Sequence, residues 1–186
     1  LKAKEHIDGD TRVQNIKALL PLHNEEIHLF APPPVTKKSI LGKVTTTGVT
    51  TFNDLKGKRV AAWGGSLITA RVLSAKLGVP YTVTSVKDRD AAFGALRAGQ
   101  VDAVLAVVGQ PATWVKDLSG VNLVPIPYAP SLTGIYSSAK LLYPNLSAGS
   151  VPTVAVQSVL ATRDFKTPEK KDLLLKYQKC AMSKLV

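Results

Sequence analysis

The chain has 186 residues, 45% of them hydrophobic, and carries 24 Lys and Arg against 13 Asp and Glu, a formal net charge of +11. That length suits one domain or two small lobes, and that apolar fraction is enough to bury a core. The single Cys180 excludes an internal disulfide and a cysteine-based metal site, and no run is apolar for long enough to read as a membrane-spanning helix.

The positive charge is dispersed. Lys37-Lys38, Lys56, Lys58-Arg59, Lys170-Lys171, Lys176, Lys179 and Lys184 lie in different segments, and none is interleaved with aromatics as in a single-strand binder. No nucleic-acid partner is expected. A solvated basic surface that favours anionic ligands at long range is the reading. No basic-then-apolar leader opens the chain, which fits a cytoplasmic protein or a trimmed exported one.

Residues 1–10 are polar and without period, and read as a linking segment. Val13, Ile16, Leu19 and Leu20 have the spacing of a short helix face, with Thr11 as its cap and Pro21 as its end. Residues 27–31 read as a strand, closed by the extended Pro32-Pro33-Pro34. Residues 39–51, rich in Gly, Thr and Val, read as a long loop or an edge hairpin, and 52–58 as a short helical turn.

Residues 60–63 form a short apolar run bounded by turn signals, which predicts a buried strand. Gly64-Gly65 then permits a tight bend, and Ser66 has the chemistry of an N-cap. Leu67, Ala70, Leu73, Ala75 and Leu77 supply a helical face that Gly78 stops. A helix start with free amides is a place for an anion. Alternatively, the loop merely turns the chain and caps the helix.

A strand is predicted over 81–86, then a helix capped near Asp88-Arg89-Asp90 with Ala91, Ala92, Ala95 and Leu96 on its face, ending at Gly99. Residues 101–108 are the most hydrophobic strand. Gly109-Gln110-Pro111 follows, with Pro111 at a first helical position before a short helix over 112–118. A strand over 123–126, a helix over 133–142, a long strand over 151–162 and a basic helix over 170–185 complete the chain. The last helix has Leu174, Tyr177, Ala181 and Leu185 on one face.

Strands alternating with helices imply a parallel or mostly parallel sheet. Two strands end in glycine turns that open helices, at Trp63-Gly64-Gly65-Ser66 and Val108-Gly109-Gln110-Pro111. If they are neighbours where the strand order reverses, both turns face one crevice, where ligands bind in open α/β sheets. Trp63 then either floors that pocket or packs in the core, whereas Trp114 reads as packing.

Catalytic and metal signals are weak. His6, His23 and His28 are the only histidines, and His23 and His28 are not at helical ligand spacing. Gly64-Gly65-Ser66-Leu67-Ile68 lacks the second glycine of a nucleophile elbow. No paired acid and base stands out, so no enzyme, no metal and no cofactor is expected.

Asp54-Leu55-Lys56-Gly57-Lys58-Arg59-Val60-Ala61, Gly65-Ser66, Ala98-Gly99-Gln100-Val101-Asp102-Ala103 and Gly109-Gln110-Pro111, in that order, resemble type II periplasmic solute-binding proteins. Tyr143-Pro144, Val151-Pro152-Thr153-Val154-Ala155-Val156 and Leu160-Ala161-Thr162 look like the TAXI branch, the solute receptors of TRAP transporters. The resemblance runs over residues 16–185. It implies an α/β fold with a mostly parallel sheet, helices on both faces and two lobes closing over a small ligand. One lobe would be complete over 45–150, and the other partial, built from 1–44 and 151–186. It places the anion grip on Gly65, Ser66 and Thr69, and cleft lining on Gly109 and Gln110. Tyr143 falls at the corresponding aromatic position. Trp63 and Gly64 join this candidate site from the turn itself.

The resemblance implies a periplasmic receptor for a small anionic organic solute such as an amino acid or a carboxylate. Its partners would be the membrane permease subunits of a TRAP transporter. The alternative is the ligand-sensing domain of a transcriptional regulator with the same fold, though no helix-turn-helix pattern occurs. A phosphoribosyl-type transferase would need an acidic pair beside a phosphate loop, and none is evident. The family's first strand–helix–strand unit has no counterpart before Thr11. The expectation is therefore a piece of a longer protein, or a chain that forms a homodimer through its incomplete first lobe.

Overall fold

One long strand organises the sheet. The computed structural model describes residues 16–40 and 42–184. β1 (Ile16–Ala31) lies in a seven-stranded sheet of order β5-β4-β6-β1-β9-β8, with β7 also pairing with β1. The other strands of this sheet are β4 (Arg59–Ala62), β5 (Thr82–Ser85), β6 (Ala103–Val108), β7 (Asn122–Leu123), β8 (Ser137–Leu141) and β9 (Val151–Arg163). β5, β4 and β6 run parallel. β1 joins β6, β7 and β9 antiparallel, and β8 joins β9 antiparallel. A separate antiparallel pair, β2 (Val35–Lys38) and β3 (Val44–Thr47), is the edge hairpin expected near 39–51.

Helices cover both faces of the sheet, and strand periodicity explains why. Ile27, Leu29 and Ala31 of β1 join Val60, Ala62, Ala103 and Leu105 in a core beneath α1 (Ser66–Leu77). Phe30 points the other way, into a second core with Ala61, Val104 and Ala106. That second core packs against α2 (Arg89–Arg97) and the short α3 (Thr113–Lys116) through Phe93, Leu96 and Val115. Phe30, Phe93 and Trp114 meet there at centroid distances of 5.4 to 6.0 Å, so Trp114 packs as expected.

Several boundaries follow the residue chemistry. Asp88 caps α2 by accepting from the Ala91 amide at 2.9 Å. Gly78 ends α1 with a left-handed φ of 66°. Phe52–Leu55 is a 3-10 turn, anchored by the Asp54 carboxylate accepting from the amides of Thr50 and Thr51.

Three expectations are corrected. Of the helix placed over Val13 to Leu20, the described part, Ile16 to Leu20, is instead the start of β1, in which bulges near Ala18/Leu20 and Pro21/Asn24 absorb Pro21. The helix placed over 133–142 is instead β8, which follows a 3-10 turn at Pro130–Leu132 and is held by five register pairs with β9. Pro111 is not a first helical position, because Ala112 is the N-cap of α3. The final basic helix is α4 (Pro168–Met182), with Leu174 and Ala181 half-buried and Tyr177 exposed. Residues 1–10, Thr11, Val13, His6 and Leu185 lie outside the described residues.

Candidate functional site

β4 and β6 are parallel neighbours, and the strand order reverses between them. β4 leads through α1 outward to β5, and β5 leads through α2 back across to β6. The crevice at their carboxyl ends is the place for a ligand in such a sheet. A cleft of about 440 Å³ opens there, lined by Trp63, Gly64, Gly65, Ser66 and Thr69. Five of the eight sequence-predicted site residues are thus brought together.

The turn is built by Gly64, whose φ of 51° is the left-handed conformation that suits glycine. Gly65 is the N-cap of α1. The first helical amides are not free: Ser66, Leu67 and Ile68 donate to the carbonyls of Trp63, Gly64 and Gly65 at 3.0, 3.3 and 3.2 Å. Gly64 and Gly65 line the cleft, and their amides meet no protein acceptor among the described residues.

Ser66 is not the cap its chemistry suggested. Its hydroxyl is buried, 5% exposed, and accepts from the Val107 amide at 3.0 Å. β6 runs past the last residue of β4, and Ser66 takes the place of the missing ladder partner. That bond uses an oxygen lone pair and leaves the hydroxyl proton for another acceptor. Thr69, one turn on and 7% exposed, hydrogen-bonds Tyr136 behind the cleft. Trp63 does both things proposed for it: it lines the cleft and packs on the second core.

Gly109, Gln110 and Tyr143 are placed elsewhere. Gly109 lies against His23, whose ring carbon would be 3.4 Å from a β-carbon at that position. The Gln110 amide donates to Glu26 at 2.9 Å, and its side chain spans to β8, donating to the Lys140 carbonyl at 3.2 Å and accepting from the Leu142 amide at 2.6 Å. Tyr143 is fully buried. Its hydroxyl accepts from the Ala112 amide at 2.9 Å and donates to His28 Nε2 at 3.1 Å.

That pairing fixes the His28 tautomer. Nδ1 faces the Glu26 carbonyl at 3.0 Å, and a carbonyl only accepts, so Nδ1 carries the proton and Nε2 accepts from tyrosine. Burial pushes the His28 pKa down to about 4, against a smaller upward pull from the Glu26 carbonyl. Burial likewise raises the Tyr143 phenol. The result is a sealed strut joining β1, the start of α3 and the end of β8.

Three cleft residues escaped sequence reasoning: Glu25, Val107 and Val156. Val107 and Val156 were legible only as strand residues. Glu25 sits on β1, opposite Val156 of β9, more than thirty positions from the glycine turn. Its carboxylate lies 3.7 Å from the His23 ring. Among the described residues no group of three or more His, Cys, Asp or Glu is arranged to hold a metal.

A family model described as NMT1/THI5 like matches residues 36–127, which contain the β4–α1–β5–α2–β6 unit and the glycine turn. The arginine-bound form of truncated ArgBP from T. maritima superposes with a TM-score of 0.56 and 16% identity, covering 95% of this chain and 63% of that one. The Gly52Ala mutant of arginine-bound ArgBP from T. maritima gives 0.53 and 18%, covering 94% and 62%. The fold is that of a type II periplasmic binding protein. The chain spans about three fifths of the length of these solved relatives. No helix among the described residues is long and apolar enough to cross a membrane.

Proposed function

We propose that this chain is the solute-binding part of a membrane transport system, capturing a small organic solute in the cleft at the start of α1. The observation that carries the reading is the convergence of Trp63, Gly64, Gly65, Ser66 and Thr69 on one cleft at the strand-order reversal. Two backbone amides and the Ser66 proton form a donor set without acceptors among the described residues, suited to a carboxylate oxygen. Trp63 and Val156 offer apolar walls to the rest of the solute. An organic acid or an amino acid has the required head group.

Binding rather than catalysis is the activity. The Ser66 hydroxyl meets a backbone amide instead of a base, and His28 is sealed by Tyr143. The similar ArgBP structures are described as arginine-bound, which supports the small-solute reading. We assign residues 45–150 to one lobe and 1–44 with 151–186 to the other, with β1 and β9 as the crossing strands. Work outside the cytoplasm with membrane permease subunits follows from this class. The TRAP form of that partnership rests on the TAXI-like motif residues alone.

Calorimetric titration of the chain with amino acids and short carboxylates tests the reading. Binding should appear, and Ser66→Ala should weaken it by about 1–3 kcal/mol, the scale for a lost donor to a charged acceptor. Equal affinity in the variant would leave Ser66 a strand-capping role only.

A further inference from the structure

The chain carries a net charge of +11, yet its cleft does not. Of the residues lining it, Glu25 alone bears a formal charge, and that charge is negative. No Lys or Arg reaches the cleft lining among the described residues. A receptor for a simple dicarboxylate would place a cation there, because buried anions need an opposite charge as well as donors. Here the donors lie at the glycine turn and an acceptor carboxylate stands on β1.

Glu25 is also held ready. It belongs to β1, pairing with β9 at Val156, so its backbone position is fixed by the sheet rather than by a loop. Its side chain is about one-third exposed, and the His23 ring stands 3.7 Å away, too long for a hydrogen bond. No donor among the described residues saturates its oxygens at short range. A carboxylate left open in a cleft whose opposite wall offers donors is matched by a ligand with two ends.

We propose that Glu25 receives a cationic group of the solute, a protonated amine or guanidinium, while the Gly64 and Gly65 amides and the Ser66 hydroxyl receive its carboxylate. The preferred ligand is thus an amino compound rather than a plain organic acid. This rests on the solute-binding reading above and narrows it to a substrate class.

The test is calorimetric titration of the whole chain with L-arginine, with agmatine, which has the cationic groups and no carboxylate, and with succinate, which has carboxylates and no cation. The wild-type chain should bind L-arginine most tightly and agmatine measurably, with succinate weakest. Glu25→Gln, which keeps shape and removes charge, should weaken L-arginine and agmatine by roughly ten- to hundredfold and leave succinate unchanged or tighter. Glu25→Lys should turn the preference toward succinate. Succinate binding better than L-arginine to wild type, or L-arginine binding unaltered by Glu25→Gln, overturns the assignment of Glu25 while leaving a solute receptor in place. Absence of binding by all three overturns both. Unfolding midpoints of the variants, measured without ligand, should match wild type, so that a lost fold is not read as a lost contact.

Discussion

The two halves of β1 make the same kind of backbone pairing and have opposite fates. From Ile27 to Ala31 every residue is buried, because β6 pairs along one edge, β7 and the chain just after it along the other, and helices cover both faces. From Ile16 to Asn24 only Leu20 is buried, because β9 is the sole strand partner there and α4 covers one face. Ladder hydrogen bonds are present in both halves, so they do not explain the difference. Cover does: net hydrogen-bond contributions are small beside the removal of large side chains from water. Glu25 and the cleft sit at the changeover, where a polar group can be held rigidly and still reach solvent.

The sharpest way to test this contrast is to cut a side chain from each half. Phe30 is fully buried among Phe93, Trp114 and His28, and Phe30→Ala should cost about 3–5 kcal/mol in denaturant unfolding. Leu22 is 46% exposed on the other half, and Leu22→Ala should cost less than about 1 kcal/mol. Comparable losses would show that the outer half is covered in solution.

Acid should act on the inner half alone. His28 titrates near 4 in the folded chain against an ordinary value of 6.5. Between those values the unfolded chain takes up a proton that the folded one refuses, so stability falls as pH falls through that window. Above 6.5 neither state is protonated and the effect vanishes; below 4 both are, and the loss levels off. The full span is worth about 3 kcal/mol. Unfolding measured from pH 7 to 4 should show this slope, and His28→Gln should flatten it. An unchanged slope in the variant would place the sensitivity elsewhere.

The lobe around the glycine turn was legible because its signals are local. The apolar run 60–63, Gly64-Gly65 and the face ending at Gly78 each act within a few residues, and Asp88 caps α2 as its position suggested. What sequence missed is long-range. Ser66 looks like a cap until β6 is seen to outrun β4 and offer it an unpaired amide. Residues 137–141 form a strand because the long β9 needs a partner, and that demand lies ten or more residues away. The spacing of Ile16, Leu19 and Leu20 fits a helix turn equally well, and only pairing with β9 decides for a strand. Resemblance alone puts Tyr143 near the ligand, and no pattern marks Glu25. Both matter through residues more than thirty positions distant: Tyr143 bonds His28 and Ala112, and Glu25 lines one cleft with the glycine turn.

Ser66→Ala has a second consequence, separate from ligand affinity. It removes the acceptor of a Val107 amide in the strand beneath the cleft. An unsatisfied buried donor costs about 1–3 kcal/mol, so the ligand-free variant should unfold at lower denaturant by that amount. Ser66→Thr keeps the oxygen and should recover most of it. If Ser66→Ala were neutral in unfolding, water would be reaching the Val107 amide through the cleft, and the cleft floor would be wetter than its 5% exposure implies.

The smallest expected effect belongs to the outer half. α4 has no buried residue; Leu174 and Ala181 are half-covered, while Leu173, Leu175, Tyr177 and Met182 are each more than half exposed. One polar tie is specific: Gln178 donates from Nε2 to the Leu19 carbonyl of β1 at 2.7 Å. Leu19 is itself partly exposed, so in a Gln178→Ala variant water can reach the freed carbonyl, and the net cost should be about 1 kcal/mol or less. The larger change should be local. With so little apolar cover, α4 is a low-stability unit whose opening need not unfold the sheet. Amide exchange should quicken across Pro168–Met182 and the facing residues of β1, while β4, β6 and α1 keep wild-type protection. Equal acceleration in both regions would mean that α4 and the cleft lobe unfold as one, and the contrast between the halves of β1 would then be one of exposure only, without independent stability.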